Sequence, residues 1–368
     1  MPELIFNVNI VMNLKTIWAN QINEGCSIKL SQSDILYIKD NILAPGDPHP
    51  RGLFKFFQDV GTPHCVISEL CVDTEAALSP VPIYSVPFRS MLILPINFRS
   101  EPLPENIETK YCFSFAINKK QVHRHIMAKL IDYYRFTSYQ GTYSEAWRDF
   151  DMSRILVEID EAGTYSEEFR SEMTRPIGLA KHWIEWPTDP SETDQRRGNK
   201  DMLWTWQAGL GEICRGSAVH LIAETTTYEL SSMFGEKTLH AVWAGCFPLW
   251  VGGYGNAEAF ERMGFDTFTD VVDHSYQYLP RLIDRCAAAI ELNRRLLEDL
   301  DYVSVLRSQH QVRLRKNRQR LYDGTVEQYV WQTIRTWPRE VANLVEAAMR
   351  AELVRADQQW QRHGFVGV

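Results

Sequence analysis

Five residues in the middle of the chain have types and an order that could bind a polar ligand. Glu224 ends the apolar run 220–223, and Glu236 and Lys237 open a helical pattern further along. Gly252 and Gly253 end the next apolar run, 247–251. Carboxylates can hold ribose hydroxyls, whereas a lysine at a helix N-terminus can neutralise phosphate. The order predicts two strand–loop–helix units, with chemistry suited to a nucleotide diphosphate at the carboxyl ends of the strands.

Two further groups of cations could contact phosphate. Arg124 lies in the first turns of a helical pattern, and can be interpreted as a surface arginine or as a phosphate contact at the mouth of an interdomain cleft. The second group is the basic run 307–320, which contains Arg313, Arg315 and Arg318. Such a run is usually a solvated helix face. The alternative is contact with an acceptor, including nucleic acid, because cations gather where phosphates must be neutralised.

The elements that must position these residues follow from apolar patterning. Strands are predicted at residues 34–38, 63–67, 90–95, 110–116 and 154–159, a loop at 79–87, and helices at 118–134, 201–217 and through most of the chain beyond 273. The polar, breaker-rich stretch 186–200 predicts an exposed loop. The pattern divides the chain into an N-terminal domain at 1–145, a second domain at 146–300, and helices at 301–368 that pack back on the domains.

Composition limits the class of protein. The chain has 368 residues, 45% of them hydrophobic, which is enough for two domains. It has no apolar window of about 18 residues, and its net charge of −8 gives no general affinity for nucleic acid or anionic membranes. The seven cysteines form no CxxC pair, which disfavours a zinc site and favours a reducing compartment. We therefore expect a cytoplasmic protein without a membrane span or a metal.

The segment 220–276 resembles the donor-binding half of fucosyltransferase-like glycosyltransferases, including their uncharacterised bacterial and viral relatives. That family has a strand ending in glutamate, a Thr-Glu-Lys helix start, an alanine-rich helix, and a strand with proline and a closing glycine. The corresponding residues here are 221–224, 234–237, 241–245 and 248–252. Residues 264–268 and 273–276 resemble the downstream pattern, and 118–124 resembles the border where the family has an arginine facing the donor phosphates. Gly235 stands in place of the threonine, Met233 in place of a tyrosine that contacts the nucleotide, and threonines occupy 225–227 in place of an asparagine.

The resemblance implies an α/β fold of two Rossmann-like domains facing across a cleft, the GT-B architecture, here with a helical C-terminal extension. It also implies inverting, metal-independent transfer of a sugar from a GDP- or UDP-sugar type of donor to a hydroxyl, with no cofactor. The donor would be held by Arg124, Glu224, Glu236, Lys237, Gly252 and Gly253. An acid of the first domain would deprotonate the acceptor. We predict Asp40 and Asp73 as this general base, within a wider group of acids that also includes Asp47 and Glu69.

Three functions are compatible with the sequence. The first is a glycosyltransferase acting on a glycan or a small molecule. The second is a phage-type enzyme that glycosylates hydroxymethylated bases in DNA, which the basic run and its residues Arg313, Arg315 and Arg318 permit. The third is a non-catalytic binding protein that keeps the fold, which the substitutions at Gly235 and Met233 suggest.

Overall fold

A computed structural model describes residues 4–5, 35–38, 65–68, 71–72, 82–96, 98–99, 108–117, 121–143, 153–175, 182–185, 206–224, 231–232 and 234–362. The strands are β1 Leu4–Ile5, β2 Ile35–Ile38, β3 Cys65–Ser68, β4 Cys71–Val72, β5 Ile83–Ser85, β6 Tyr111–Ile117, β7 Tyr139–Tyr143, β8 Trp183–Glu185, β9 Ser217–Ile222, β10 Ser231–Ser232 and β11 Phe247–Trp250. The α-helices are α1 Leu94–Ile96, α2 Val122–Tyr133, α3 Ser153–Ala162, α4 Glu167–Thr174, α5 Gly211–Arg215, α6 Glu236–Ala244, α7 Asn256–Arg262, α8 Leu282–Leu292, α9 Arg294–Glu298, α10 Leu300–Gln309, α11 Gln311–Arg320, α12 Thr325–Arg335 and α13 Arg339–Arg362. The π-helical segments Arg89–Ile93 and Trp206–Leu210 lead into α1 and α5, and a 3-10 helix covers Ser275–Tyr278.

By their contacts the residues fall into two compact units. Unit 1 comprises Met1–Arg99, Leu230–Met233 and Asp323–Val368, and unit 2 comprises Ser100–Glu229 and Phe234–Tyr322. This division differs from the predicted boundaries at 145 and 300. The reason is strand pairing: β6 and β7 precede residue 145, but they pair with β9 and β8 of unit 2. The final helices also divide, since α10 and α11 belong to unit 2 whereas α12 and α13 belong to unit 1.

Unit 2 is built on a five-stranded sheet with the order β11-β9-β6-β7-β8, and each of its pairings is parallel. All of β9 and nearly all of β6 are buried, as expected for strands covered on both faces. Phe113 of β6 stacks on Tyr139 of β7, with ring centroids 5.1 Å apart. Because the strands are parallel, β6, β9 and β11 end at the same side of the sheet. We call this side the carboxyl edge.

Unit 1 contains a four-stranded parallel sheet with the order β1-β2-β3-β5, and β4 and β10 form an antiparallel pair. Its C-terminal helix α12 and the turn that follows it pack on aromatic residues in and near β5. Phe88 contacts Trp331 with centroids 6.4 Å apart, and Tyr84 contacts Trp337 at 5.0 Å. Parallel sheets with helices, followed by a helical C-terminal region, confirm the predicted α/β class. In the ranges given above, no helix is both long and apolar enough to cross a membrane.

Three local predictions are wrong. Residues 154–159 form part of helix α3, in which Ile155 and Ile159 are buried while Val157 is 54% exposed. The two buried residues are four positions apart, which is the spacing of one helix face. The apolar content of the run alone indicates a strand. Residues 90–95 are helical and almost wholly buried, and a short, fully buried run has no period that separates helix from strand. The predicted loop 79–87 contains β5.

Candidate functional site

At the carboxyl edge, the end of strand β9 lies against the start of helix α2, which follows β6. His123, in the first turn of α2, donates from Nε2 to the carbonyl oxygen of Glu224 at 2.8 Å. Arg124 donates from Nε and Nη2 to the carbonyl oxygen of Ala223, at 3.3 and 3.0 Å. Both acceptors lie directly after β9, whereas α2 follows β6. Because β6 pairs with β9, Arg124 lies next to Ala223 and Glu224, although 99 residues separate Arg124 from Ala223 in the sequence.

Glu224 is only 3% exposed, and its carboxylate caps helix α6. Its Oε1 accepts from the N–H of Gly235 at 2.9 Å, the N–H of Thr238 at 3.1 Å and the hydroxyl of Thr238 at 2.7 Å. Its Oε2 is buried and, within the described part of the chain, has no hydrogen-bond partner. Burial raises the pKa of Glu224, and the nearby Lys237 cation opposes this rise.

The same network reaches the neighbouring strand. Trp250, the last residue of β11, donates from Nε1 to the hydroxyl oxygen of Thr238 at 3.0 Å. The hydroxyl of Tyr276 in turn donates to the carbonyl oxygen of Trp250. The start of α6 is therefore fixed to the ends of both β9 and β11 through the Thr238 hydroxyl.

Glu236 and Lys237 are the first two residues of α6 and form an ion pair, with Nζ 2.6 Å from Oε1. The Glu236 side chain is 40% exposed, whereas that of Lys237 is 9% exposed. The Lys237 ammonium lowers the pKa of Glu236 well below its usual range, so Glu236 is ionised at neutral pH. Among the four predicted residues that meet here, Glu236 has the most exposed side chain.

Arg124 is a buried cation for which the described residues supply no ion-pair partner. The side chain is 1% exposed, no carboxylate of the described residues lies within ion-pair distance, and Nη1 donates to none of them. Burial lowers its pKa to about 10, against the opposing effect of Glu236 and Glu224, so it stays charged at neutral pH. The N-cap of α2, Gln121, provides no side-chain cap, and no acidic residue occupies the first turn. A helix N-terminus without a side-chain cap and a buried guanidinium thus lie together, and both stabilise negative charge.

Gly252 and Gly253 shape the loop after β11. Gly252 has a φ of 76°, in the left-handed region, and its carbonyl accepts from Arg285 Nε at 3.3 Å. A Cβ on Gly253 would lie 2.0 Å from Asn256 Oδ1, so a side chain there would displace that of Asn256. Local geometry accounts for both glycines, and their predicted contact with a donor stays a prediction.

The basic run does not form one free surface. Arg313 pairs with Asp266 and Asp270, with N–O distances between 2.6 and 2.9 Å. Arg318 is buried, and its Nη1 donates to the carbonyl oxygen of Trp243 at 3.1 Å. Arg313 and Arg318, predicted as acceptor contacts, are thus occupied within the chain. Arg315 is exposed, and its predicted acceptor contact stays a prediction.

The predicted general bases Asp40 and Asp73, with the wider candidates Asp47 and Glu69, lie outside the described residues. So does Met233. The identity of a catalytic base therefore stays a prediction.

Sequence reasoning missed two buried histidines behind the carboxyl edge. His220 of β9 lies with Nδ1 2.9 Å from the Ser114 hydroxyl oxygen, and burial lowers its pKa to about 3. His240 of α6 stacks on Trp206 with centroids 5.4 Å apart, and burial lowers its pKa to about 4. Sequence reasoning also missed Thr238, although its position directly after Glu236 and Lys237 would have placed it in the first turn of the same helix.

A separate pocket of about 670 Å³ lies in unit 2, beside α7. Its lining includes the acids Glu258, Glu261, Asp270 and Asp273, together with His274. None of the residues predicted to bind a donor lines this pocket.

Comparison with known proteins adds a remote likeness to solved structures. No family model matches the chain, and no curated protein matches it. A solved structure described as "Trehalose-6-phosphate from E. coli bound with UDP-2-fluoro glucose" is similar over 92% of this chain and 77% of its own, with 12% identity and a TM-score of 0.38. A likeness this low cannot support a function, and it does not point to fucosyltransferase-like proteins. The function has to be argued from the carboxyl edge.

Proposed function

We propose that this protein is a GT-B glycosyltransferase and that unit 2 binds the diphosphate of a nucleotide-sugar donor at the carboxyl edge. The observation that carries the proposal is Arg124, a buried cation at an uncapped helix start, with no carboxylate supplied by the described residues. A buried charge is costly unless it is paired, and a donor diphosphate would pair it. The adjacent strand ends are where open parallel sheets bind their ligands.

The neighbouring side chains suit the remainder of such a donor. The exposed carboxylate of Glu236 can accept hydrogen bonds from ribose hydroxyls. The ammonium of Lys237, which now pairs with Glu236, can pair instead with a phosphate oxygen. Gly252 and Gly253 would let the loop backbone lie against the ligand.

In the proposed reaction the acceptor oxygen attacks the anomeric carbon, the bond to the diphosphate breaks, and a carboxylate takes the hydroxyl proton. The candidates for that base are Asp40 and Asp73. Arg124 and Lys237 would stabilise the departing diphosphate.

Donor binding can be tested with a panel of GDP, UDP, their sugars and other pyrimidine-nucleotide sugars. A ligand that binds only the folded chain raises Tm, and calorimetry then gives its Kd. We expect Lys237→Ala and Glu236→Ala to weaken binding by about 10- to 100-fold, the value of a charge-assisted hydrogen bond, while both variants fold.

The matched control is Glu261→Ala, because Glu261 is an exposed acid of the same unit that lies on the separate pocket. It should bind donor as the wild type does. Unchanged affinity in both Lys237→Ala and Glu236→Ala, or a wild-type chain that binds none of the panel, would contradict the proposal.

A further inference from the structure

Helix α6 begins without a cap of its own. Its N-cap residue, Gly235, has no side chain to accept the first free N–H groups. Helix starts leave such donors unsatisfied, and a serine, threonine or aspartate at the N-cap normally accepts them. Here Glu224, which follows a different element, accepts from the N–H of Gly235 and the N–H of Thr238. The cap of α6 therefore comes from the end of β9.

The glycine at position 235 leaves room for this carboxylate. The backbone there is extended, with φ −126° and ψ −163°, a conformation open to any residue. A Cβ on Gly235 would nevertheless lie 2.8 Å from Glu224 Oε2, closer than real contacts allow. A side chain at 235 would therefore force the Glu224 carboxylate, which three hydrogen bonds hold at Oε1, to shift. A serine at 235 and the carboxylate at 224 are alternative caps for the same helix start.

The cap fixes the two residues proposed to meet the donor. Glu236 and Lys237 directly follow Gly235 in the first turn of α6, so any shift or fraying of that turn moves both side chains. Glu224 itself offers a ligand little access. Its Oε1 already accepts three hydrogen bonds, and its Oε2, which has no partner among the described residues, is buried beside Gly235.

We propose that Glu224 is a positioning residue: it caps α6 across the sheet edge, aims Glu236 and Lys237 at the donor, and does not touch the donor itself. The expected effect of Glu224 on donor binding rests on the proposed function. The capping relation between positions 224 and 235 holds without it.

A set of three variants tests the proposal. Glu224→Ala should lower Tm and weaken binding of the GDP or UDP compound that the wild type binds by at least about tenfold. Gly235→Ser alone should also lower Tm, because its Cβ meets the Glu224 carboxylate. In the double variant Glu224→Ala/Gly235→Ser the space is free and the serine caps the helix. We expect it to regain both Tm and affinity to within about threefold of wild type.

The outcomes separate positioning from contact. A double variant that regains Tm but not affinity would show that the donor touches Glu224, and one that regains neither would show that capping is not its role. If Glu224→Ala fails to fold, Glu224→Gln takes its place, because the amide keeps an acceptor oxygen for the two N–H groups. It should then bind donor nearly as the wild type does, and a loss of more than about tenfold would overturn the proposal.

Failure of the proposed function looks different. In that case the wild type binds no donor, yet the effect of Gly235→Ser on Tm still changes sign: it is negative in the wild-type background and positive in the Glu224→Ala background. Absence of that reversal would overturn the capping relation whatever the donor result.

Discussion

Arg124 and Arg285 are equally buried, at 1% exposure each, but differ in what surrounds the guanidinium. Arg285 donates to the carbonyl oxygens of Gly252, Leu279 and Pro280, at 3.3, 2.8 and 2.9 Å, and so holds the loop after β11. Arg124 donates to a single carbonyl oxygen among the described residues. A buried guanidinium that satisfies several carbonyls is explained by the fold. One with a single acceptor and no carboxylate is explained better by an anionic ligand.

Substituting each arginine by methionine should separate these roles. In Arg124→Met, relief from burying an unpaired charge nearly offsets the lost bonds to Ala223, so the free energy of unfolding should change by about 1 kcal/mol or less. Donor affinity should fall by at least about tenfold. Arg285→Met leaves three carbonyls without their donor and should cost about 3 kcal/mol. Denaturant titration and calorimetry measure both quantities. An Arg124→Met chain that binds donor normally would contradict the phosphate role.

At the scale of elements, cations on α10 and α11 hold the C-terminal end of α6. Arg307 donates to the carbonyl oxygens of Gly245 and Ala244, each at 3.0 Å, and Arg318 donates to that of Trp243 at 3.1 Å. A helix ends with unsatisfied carbonyls and negative potential, which suits cations. Helix α6 is thus fixed at its start by Glu224 and at its end by two arginines.

Stability measurements distinguish the buried from the exposed members of the basic run. Arg307→Met should lower the free energy of unfolding by about 3 kcal/mol because it leaves buried carbonyls without donors, whereas Arg315→Ala should change it by about 0.5 kcal/mol or less. Chemical denaturation of both variants tests this difference. Equal effects would mean that the carbonyl contacts of Arg307 contribute little.

The exposed residues of the basic run allow a test of the DNA-modifying alternative that leaves the fold intact. Charge reversal at Arg318 would disturb folding, so the useful variants are Arg315→Glu and Lys316→Glu, both at exposed positions. If duplex DNA with hydroxymethylated bases is the acceptor, each reversal should weaken DNA binding uniformly across sequences and reduce its salt dependence. DNA glycosylation that these reversals leave unchanged would exclude that role for the run.

The sequence predicted the strands and the helix around Glu224, Glu236 and Gly252 because local pattern decides their positions. Strand β9 ending before Glu224, α6 starting at Glu236, and β11 ending before Gly252 all follow from apolar runs and punctuation. Local pattern cannot show that β6 lies beside β9, since pairing is a long-range relation, and it therefore predicts a domain boundary at residue 145. Nor can it show that Arg318 donates to a carbonyl oxygen, because the spacing of charges does not tell which side chains face the core.

At the scale of the folded chain, several buried histidines link stability to pH. Burial lowers the pKa values of His123, His220, His240 and His274, to about 3 for His220 and about 4 for His240. In the unfolded chain their pKa returns to about 6.5. Between these values the unfolded state binds more protons than the folded state, so protonation favours unfolding. This stability is present above about pH 6.5 and is lost as pH falls towards the folded pKa values.

Between about pH 7.5 and pH 5, His220 and His240 should each remove about 2 kcal/mol of unfolding free energy. Glu224 acts in the opposite direction, because burial raises its pKa and its protonated form favours the folded state. Its contribution reduces the net loss without changing that of the histidines. His240→Leu isolates one histidine: the leucine cannot titrate, so the difference in unfolding free energy between the two pH values should shrink by about 2 kcal/mol. Urea unfolding of wild type and variant at both pH values measures it. Identical pH dependence in the two proteins would mean that His240 becomes protonated as readily when folded as when unfolded, and hence that α6 does not shield it from water.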